Sequence, residues 1–560
     1  MSMTEPPPTI TVGEYLLHRL VSLGVHHLFG VPGDYNLAFL DTVLASPHIS
    51  WVGTANELGA AYAADGYART RSFGALLTTF GVGELSAVNG VAGSYAERVP
   101  LVHITVGPSQ AAERAGAIVH HTAADGDYDR FARAHASVVC ASAVLRPDNA
   151  AREIDRVLST ALHESRPVYL RLPSDVALAQ VQAPTGTLRR PPEVNEKNLA
   201  AFRTAAEERI SSARSAAVLA DFLVDRFQAR SALAGLLDAG SLPWAVLSSG
   251  KTVLPADTPG FTGVYSGELA APAARAAIEG ADLLIRAGVV LADTTTGGFT
   301  HRFEAEAGID LAPHSASVDG KPFDGVPLAA GLGVLAELVE RRFAGPKRAP
   351  LPAAAPPDPV DPAGPLTQDH LWTAVASWTT PDTTVIAEQG TSFFGMCTET
   401  LASGARFIAQ PLWGSIGYTL PALLGAQLAD RTRRGLLLIG DGSAQMTIQE
   451  LGTLARQHLN PVIVLVNNDG YTVERAIHGP RAAYNDIAEW NWQAVPAALG
   501  AADALVLSAI TPAQLDTALH TAAHTTDRMV FIEVRTDMDD VPELLHRLAG
   551  NVQARNGGEA

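Results

Sequence analysis

Two apolar runs in the last third of the chain each stop at a short polar turn, and this pairing restricts the fold more than any other feature. RGLLLIG leads into the GDG turn at 440–442, and PVIVLV leads into the NNDG turn at 467–470, with Asn468 27 positions after Asp441. Short, nearly continuous apolar runs are typical of buried parallel strands. Ligands bind at the carboxyl edge of such sheets, so we expect both turns to face one ligand.

The rest of the chain repeats this alternation of strand-like and helix-like segments. Apolar runs such as GALLTTF, LVHITVG, ADLLIRAGVVL and MVFIEV alternate with amphipathic stretches such as TVGEYLLHRLVSLG. The pattern predicts an α/β protein with doubly wound, mainly parallel sheets. A chain of 560 residues exceeds one core, and Pro-rich joints lie at 183–196 and 344–365. We therefore predict three domains, at residues 1–185, 197–345 and 364–560.

Composition excludes several classes of partner. The net charge is −18 and no Lys/Arg-rich run occurs, which argues against nucleic acid and against anionic membranes. No apolar run approaches the roughly 20 residues of a membrane-spanning helix. The first ten residues lack the pattern of a signal peptide, and Cys140 and Cys397 are isolated. We expect a cytoplasmic protein with a small-molecule substrate.

The two turns carry the chemistry of a metal–diphosphate clamp. Asp441 offers a carboxylate oxygen, Asn468 an amide oxygen, and a turn at Gly470 exposes a backbone carbonyl. Three such oxygens, completed by diphosphate and water, suit octahedral Mg²⁺. Gly442 permits close approach of a ligand, and Ser443 is expected to N-cap the next helix, whose free N–H groups favour a phosphate. The alternative is that both turns are ordinary loops.

A GDG turn followed after about two dozen residues by NN resembles the thiamine-diphosphate enzymes. In that family a glutamate of the first domain donates to the cofactor's aminopyrimidine ring, and Glu57 of TANELGAAYAADGYART matches it; otherwise Glu57 is a capping or surface residue. PLWGSIGY (411–418) matches the segment that bends the cofactor into a V. The resemblance implies Ile416 as the wedge, the Gly414 carbonyl and Ile416 N–H as pyrimidine ligands, and Thr391 in the diphosphate site.

Further motifs resemble the pyruvate decarboxylase group within that family. FGVPGDYN carries Asp34, IVHHTAADGDYD carries His120 and His121, and NNDGYTVE ends in Glu474. An Asp, a His pair and this Glu are the catalytic set of the group. The match runs from Val12 to about Leu548 and is closest to the branched-chain and aromatic 2-keto acid decarboxylases. A second His pair at 26–27 is expected to be structural.

The resemblance implies non-oxidative decarboxylation of a 2-keto acid to an aldehyde and CO₂ through the C2 ylid of thiamine diphosphate. Pyruvate-restricted members can carry a bulky aromatic residue near position 294, where this chain has Thr294. Gln389 and Val473 match the broad-specificity relatives, which favours branched-chain, aromatic or indole keto acids over pyruvate. Phe393 and Phe394 either line the substrate pocket or are core aromatics.

In this family the cofactor's two ends are held by domains that meet across a subunit interface. The resemblance therefore implies a homodimer or homotetramer with active sites at the interface. Two alternatives share the clamp. A carboligase of the acetolactate synthase type is expected to lack the His pair and Glu474, and an inactive cofactor-binding paralogue is expected to have lost Glu57 or the acid/His set.

Overall fold

A computed structural model describes residues 8–189, 192–349 and 360–556. They form three α/β units, with main sheets of six, seven and six strands, as expected for the fold class. Within the predicted joints, residues 190–191 and 350–359 lie outside the described residues, and the exact domain boundaries stay a prediction. None of the described helices is long and apolar enough to cross a lipid bilayer.

The first unit has a six-stranded sheet of order β3-β2-β4-β5-β7-β6, in which every neighbouring pair is parallel. A separate antiparallel pair joins β1 to β8. The elements are β1 Thr9–Thr11, α1 Val12–Ser22, β2 His27–Gly30, α2 Leu37–Ala45, β3 Ser50–Gly53, α3 Glu57–Arg71, β4 Gly74–Thr79, α4 Val82–Ala96, β5 Leu101–Gly107, α5 Gln110–Arg114, α6 Arg130–His135, β6 Ala141–Val144, α7 Ala150–Glu164, β7 Val168–Pro173 and β8 Gln180–Gln182.

The central unit has a seven-stranded sheet of order β11-β10-β9-β12-β13-β14-β15. Its first five strands are parallel, whereas β14 and β15 continue the sheet in antiparallel fashion. The elements are α8 Glu196–Ser212, β9 Ala216–Ala220, α9 Leu223–Arg226, α10 Arg230–Gly240, β10 Trp244–Val246, β11 Phe261–Val264, α11 Pro272–Glu279, β12 Leu283–Ala287, β13 Ile309–Leu311, β14 Ser315–Val318, β15 Lys321–Asp324 and α12 Leu328–Phe343.

The last unit has a six-stranded sheet of order β17-β16-β18-β19-β21-β20, again with parallel pairs throughout. The elements are α13 Gln368–Trp378, β16 Thr383–Ala387, α14 Thr391–Met396, β17 Arg406–Ile408, α15 Thr419–Ala429, β18 Arg434–Gly440, α16 Asp441–Thr447, α17 Glu450–Arg456, β19 Val462–Asn467, α18 Thr472–Ile477, α19 Val495–Ala498, β20 Leu505–Ala509, α20 Pro512–His524, β21 Val530–Arg535 and α21 Glu543–Asn556.

Strand β18 shows why the apolar runs are continuous. Leu437 packs in a buried cluster that includes α15, whereas Leu436 and Leu438 pack in another cluster with Trp372 of α13. Successive side chains of a strand point to opposite faces, so a strand covered on both faces needs apolar residues at every position. Strand β18 is therefore buried on both faces along its middle, and its ends are its more accessible parts.

Helices α3 and α15 join the first unit to the last through direct backbone contact. A Cβ atom on Gly66 would overlap the Ala422 carbonyl oxygen, and one on Gly425 would overlap the Ala63 carbonyl oxygen. Beside this contact, the Tyr418 hydroxyl donates to Asp65 Oδ1 at 2.6 Å. Only residues without a side chain allow the two helices to approach so closely.

We expect Gly425→Ala to lower the melting temperature, because the added methyl group must push α15 away from α3. Overpacking of this kind costs roughly 1–3 kcal/mol of unfolding free energy. The matched control is Gly333→Ala in α12, where no atom lies within 4 Å of the new Cβ. The control should be neutral or stabilise the helix by up to about 1 kcal/mol. Equal melting temperatures of the two variants would contradict this packing.

Candidate active site

The two polar turns lie side by side at the carboxyl edge of the last sheet. Gly440 at the end of β18 pairs with Val466 of β19, so the turns that follow begin in register. The Asp441 carboxylate is buried and accepts the Gly442 N–H at 2.7 Å and the Gly470 N–H at 3.1 Å. The acid is thus held by the backbone of both turns.

Three oxygen positions converge between these turns. The amide end of Asn468 lies 3.2 Å from both Asp441 Oδ1 and the Gly470 carbonyl oxygen. Turned one way, the amide nitrogen donates to both oxygens while its own oxygen accepts from Thr472 Oγ1 at 3.0 Å. Turned the other way, three oxygens face one another with no proton between them. Adjacent oxygens of an octahedral Mg²⁺ with bonds of 2.0–2.1 Å lie about 3 Å apart, so this donor set fits the ion.

Burial raises the pKa of Asp441 to about 6, and the N–H groups that it accepts offset only part of that effect. Burial away from water disfavours the charged form of a carboxylate unless a nearby cation stabilises that charge. A divalent ion at the three oxygens would supply that compensation and would hold Asp441 ionised near neutral pH.

The predicted N-cap role of Ser443 was wrong. Helix α16 begins at Asp441 with Gly440 as its N-cap, so Ser443 lies within the first turn of the helix. The reason is that Gly440 still has the extended backbone of β18, with φ −76° and ψ 158°, and helical geometry begins at the very next residue. Ser443 and Gly442 nevertheless remain at the helix start, and a Cβ atom on Gly442 would lie 2.6 Å from the Tyr471 ring.

The PLWGSIGY segment is anchored beside α16. Glu388 is buried and accepts the Gly417 N–H at 3.1 Å and the Thr419 hydroxyl at 2.6 Å. On the other side, the Thr447 hydroxyl donates to the Gly417 carbonyl oxygen at 2.7 Å. Burial raises the pKa of Glu388 to about 7. The loop that contains Gly414 and Ile416 is therefore fixed at its end by side chains of the last unit.

The expected pocket residues fall into two groups. The buried Gln389 Oε1 has no hydrogen-bond partner among the described residues, and a Cβ atom on Gly414 would lie 3.8 Å from Gln389 Cγ. Val473 approaches from α18, because a Cβ atom on Gly390 would lie 3.6 Å from its Cγ2. Thr294 of the central unit donates to the Pro411 carbonyl oxygen at 3.1 Å.

Phe393 and Phe394 are placed differently. Both rings are buried in a cluster with Leu545 and Leu548 of α21. The burial of both rings favours the alternative in which they are core aromatics. Thr391, the first residue of the same helix α14, is also buried.

In the first unit, Asp34 comes together with the His120–His121 pair, which lies more than 80 residues later in the sequence. His120 Nε2 lies 2.8 Å from Asp34 Oδ2, and the Tyr35 ring stacks on His120 with centroids 4.7 Å apart. The ligand atoms of Asp34, His120 and His121 all lie within 4.8 Å of one another. Asp34 and His120 are about half exposed, so the cluster is accessible from outside the chain.

Glu57 and Glu474 occupy opposite halves of the candidate site. Glu57 is the first residue of α3 and follows the N-cap Asn56, and a Cβ atom on Gly83 would lie 3.0 Å from Glu57 Oε1. Glu474 is exposed on α18, which follows the NNDG turn at 467–470. Across residues 8–189, 192–349 and 360–556, no hydrogen bond joins Glu57 to Asp441 or to Glu474.

Comparisons with known proteins agree along the chain. Family profiles described as the thiamine pyrophosphate enzyme N-terminal TPP binding domain, central domain and C-terminal TPP binding domain match residues 10–129, 203–335 and 390–534. An alpha-keto-acid decarboxylase of Mycobacterium tuberculosis is 50% identical over 547 residues, covering 97% of this chain and 98% of that protein. One from Mycobacterium ulcerans is 48% identical over 549 residues, covering 97% of this chain and 96% of that protein. The chain belongs to the thiamine-diphosphate-dependent 2-keto acid decarboxylases.

A solved structure supports the fold of this decarboxylase. The Rhodococcus jostii thiamine diphosphate-dependent 4-hydroxybenzoylformate decarboxylase superimposes with a TM-score of 0.74 at 22% identity, covering 95% of this chain and 100% of that chain. The family and the three-unit α/β fold predicted from the sequence are thus confirmed. At this identity the comparison concerns the fold alone.

Sequence reasoning missed the acids that support the decarboxylase's loops. Glu388 stands beside Gln389 in the segment AEQG (387–390), and Glu450 lies in QMTIQELG. Both are buried, and Glu450 Oε1 accepts the Ala55 N–H of the first unit at 2.9 Å. The available signal was a lone acid within an otherwise apolar or small-residue stretch, where an unpaired charge would be costly.

The raised pKa of Asp441 predicts a pH dependence of cation binding. Below about pH 6 a proton competes with the cation, so the affinity for Mg²⁺ should rise as the pH increases through 6. Without a cation, folding takes up a proton between the unfolded and folded pKa values, so stability should fall as the pH rises from about 4 to about 6.

Asp441→Asn should abolish both the pH dependence of Mg²⁺ binding and the fall in stability with rising pH. In the wild type, Mg²⁺ with thiamine diphosphate at about a hundred times the dissociation constant should stabilise by about 2.7 kcal/mol. Thermal unfolding with and without these ligands, from about pH 5 to 8, measures the change. The control is Asp469→Asn on the same turn, whose carboxylate is exposed. Retained ligand stabilisation in Asp441→Asn would exclude Asp441 from the clamp.

Proposed function

We propose that the protein decarboxylates a branched-chain, aromatic or indole 2-keto acid to an aldehyde and CO₂, with thiamine diphosphate and Mg²⁺ as cofactors. The observation that carries the proposal is the convergence of the Asp441, Asn468 and Gly470 oxygens, which fits a divalent ion. We also propose a cytoplasmic setting, in keeping with two free cysteines, of which Cys397 is buried.

The residues of the last unit would hold the cofactor. Asp441, Asn468 and the Gly470 carbonyl would bind Mg²⁺, and Gly442, Ser443 and Thr391 would contact the diphosphate. The Gly414 carbonyl and Ile416 would hold the pyrimidine. Thiamine diphosphate, when bound, supplies the electron sink for the carbanion left by loss of CO₂. The neutral Gln389 amide and the small Gly390 leave room beside it for the keto acid.

The remaining groups would manage protons. The Glu57 carboxyl would donate a hydrogen bond to the pyrimidine ring, and Glu474 would lie beside the departing carboxylate. Asp34 and His121 would serve in protonation and aldehyde release. The contact of His120 Nε2 with Asp34 Oδ2 at 2.8 Å would orient the His120 ring and the Asp34 carboxylate. A positioned side chain of this kind contributes about 10²–10⁴-fold to the rate.

The substrate preference rests on the sizes of the pocket side chains. Thr294 reaches the Pro411 carbonyl with its hydroxyl and leaves no ring at that position. Gln389 approaches Gly414 of the same loop, whereas Val473 approaches Gly390, and Gln389 Oε1 is free to accept a donor of the ligand. A hydrophobic pocket discriminates by about 1–3 kcal/mol per methylene, so filling this space should select against large substrates.

Aldehyde formation from 2-ketoisovalerate, phenylpyruvate, indolepyruvate and pyruvate tests the proposed function. We expect kcat/KM for the best larger substrate to exceed that for pyruvate by about tenfold or more. Thr294→Trp should lower kcat/KM for the larger substrates more than kcat/KM for pyruvate, because the indole ring fills the space. Thr294→Ser keeps the hydrogen bond to Pro411 and should behave as wild type. A preference for pyruvate in the wild type would overturn the substrate assignment, and no aldehyde from any keto acid would overturn the function.

We further propose that each active site forms between two subunits of a homodimer or homotetramer. Large apolar side chains lie exposed beside both halves of the site: Val82 and Leu85 of α4 (54% and 41% exposed), Trp413 (41%) and Met446 (53%). Apolar surface of this kind is typical of protein contacts. A second copy covering it would bring its Glu57 toward the clamp of the first.

Subunit mixing tests the shared site. Glu57→Gln and Asp441→Asn homodimers should each be nearly inactive while remaining folded. If one subunit supplies Glu57 and its partner supplies Asp441, a mixed dimer has one intact site, and an equimolar, re-equilibrated mixture should regain about one quarter of the wild-type activity. If both residues act within one chain, every mixed site carries one lesion and no activity returns. The second result would contradict the interfacial site.

A further inference from the structure

The turn between β4 and α4, residues 79–83, contacts several of the acid/base groups at once. Gly81 has a positive φ of +66°, and a Cβ atom there would overlap the His121 carbonyl oxygen. Two residues later, Gly83 leaves just enough space for Glu57 Oε1, which would lie 3.0 Å from an added Cβ. The backbone of one turn therefore packs against both His121 and Glu57.

The same turn supports the segment that carries Asp34. A Cβ atom on Gly33, which precedes Asp34, would lie 2.7 Å from the Thr79 Cβ and 2.9 Å from its Oγ1. Thr79 itself is buried at the end of β4. A shift of the 79–83 turn would consequently move three functional groups that come from distant parts of the sequence.

Glu84 holds this turn from within the core. Its carboxylate is fully buried, and Oε1 accepts the Gly81 N–H at 2.8 Å. Oε2 accepts the Tyr169 hydroxyl of β7 at 2.7 Å, and His135 Nδ1 lies 3.8 Å away. The Tyr169 and His135 rings stack with centroids 4.8 Å apart. Glu84 thus ties the turn to two other elements of the first unit.

Burying the Glu84 carboxylate costs more free energy than a purely structural contact requires. Burial raises its pKa to about 7, although the Gly81 N–H and the Tyr169 hydroxyl both favour the charged form. A buried carboxylate costs free energy that an apolar side chain of the same size would avoid. What an apolar side chain cannot supply is an acceptor for the Gly81 N–H, which fixes the turn against the His121 carbonyl.

We propose that Glu84 is a positioning residue of this enzyme: through Gly81 it fixes the 79–83 turn, and thereby the relative placement of His121, Glu57 and Asp34. The proposal rests on the proposed function, because it concerns the groups assigned there. Glu84 is fully buried, and its link to those groups runs through the Gly81 N–H and the turn.

Two substitutions separate the acceptor from the volume of the side chain. Glu84→Met keeps the size and removes the acceptor for the Gly81 N–H. Glu84→Gln keeps one oxygen for Gly81, and its amide nitrogen can donate to the Tyr169 oxygen. The matched control is Glu279→Met in the central unit, which removes a similar hydrogen bond, from the Tyr265 hydroxyl at 2.9 Å. If Glu84→Met does not fold, Tyr169→Phe is tested instead, because it removes the hydroxyl that donates to Glu84 Oε2.

Steady-state kinetics of the holoenzyme provide the first test. Glu84→Met should lower kcat by about 10–100-fold with little change in KM, because misplacement by about 1 Å costs up to 10²-fold. Glu84→Gln and Glu279→Met should stay within about threefold of wild type. In a His121→Ala background, Glu84→Met should cost less than it does in the wild type, because the part of its effect that acts through His121 is already lost, while the parts that act through Glu57 and Asp34 remain. An undiminished cost of Glu84→Met in that background would remove His121 from the groups that Glu84 places.

Hydrogen–deuterium exchange of the cofactor-free protein provides a readout that does not depend on turnover. Peptides covering residues 79–84 and 116–126 should exchange faster in Glu84→Met, but not in Glu84→Gln or Glu279→Met. Unchanged exchange in Glu84→Met would overturn the positioning role, even if activity fell. If no keto acid is decarboxylated by the wild type, the proposed function fails, while the exchange result still decides whether Glu84 fixes the turn.

Discussion

The backbone contact between α3 and α15 is the constraint on which the candidate site depends. Glu57 begins α3, and the loop at 411–418 leads directly into α15, so the crossing of these helices sets the place of both. The hydrogen bond from Tyr418 to Asp65 locks the crossing in a buried position. Because densely packed interiors do not deform gradually, a change at this crossing would be transmitted to the site.

Buried acids form a second level of support. Glu388 and Glu450 each accept a backbone N–H group from a loop that carries candidate functional residues, and Glu84 accepts one from the 79–83 turn that packs against such residues. Burial raises the pKa of each carboxyl, and the backbone donors offset part of that cost. Positions that need not touch ligand can therefore determine the geometry of those that do, and their charge makes them sensitive to pH.

Sequence reasoning succeeded where the chemistry is local and failed where neighbours compete. The apolar runs predicted strands, and parallel pairing then required the turns after β18 and β19 to meet at one edge. Ser443 was misassigned as an N-cap because helical geometry begins directly after β18, with Gly440 as the N-cap and Asp441 as the first residue of α16. The two readings of Phe393 and Phe394 could not be separated without knowing that α21 folds over them.

The sequence by itself determined the α/β class, the family and the donor types of the clamp, because periodicity, turn chemistry and motif spacing are properties of short segments. Only the tertiary structure decided that Asp34, Glu57 and His121 gather around the 79–83 turn, and that Glu84 holds that turn from beneath. Those contacts join segments tens of residues apart through packing and backbone hydrogen bonds, so they cannot be predicted from the pattern of residues in any one segment.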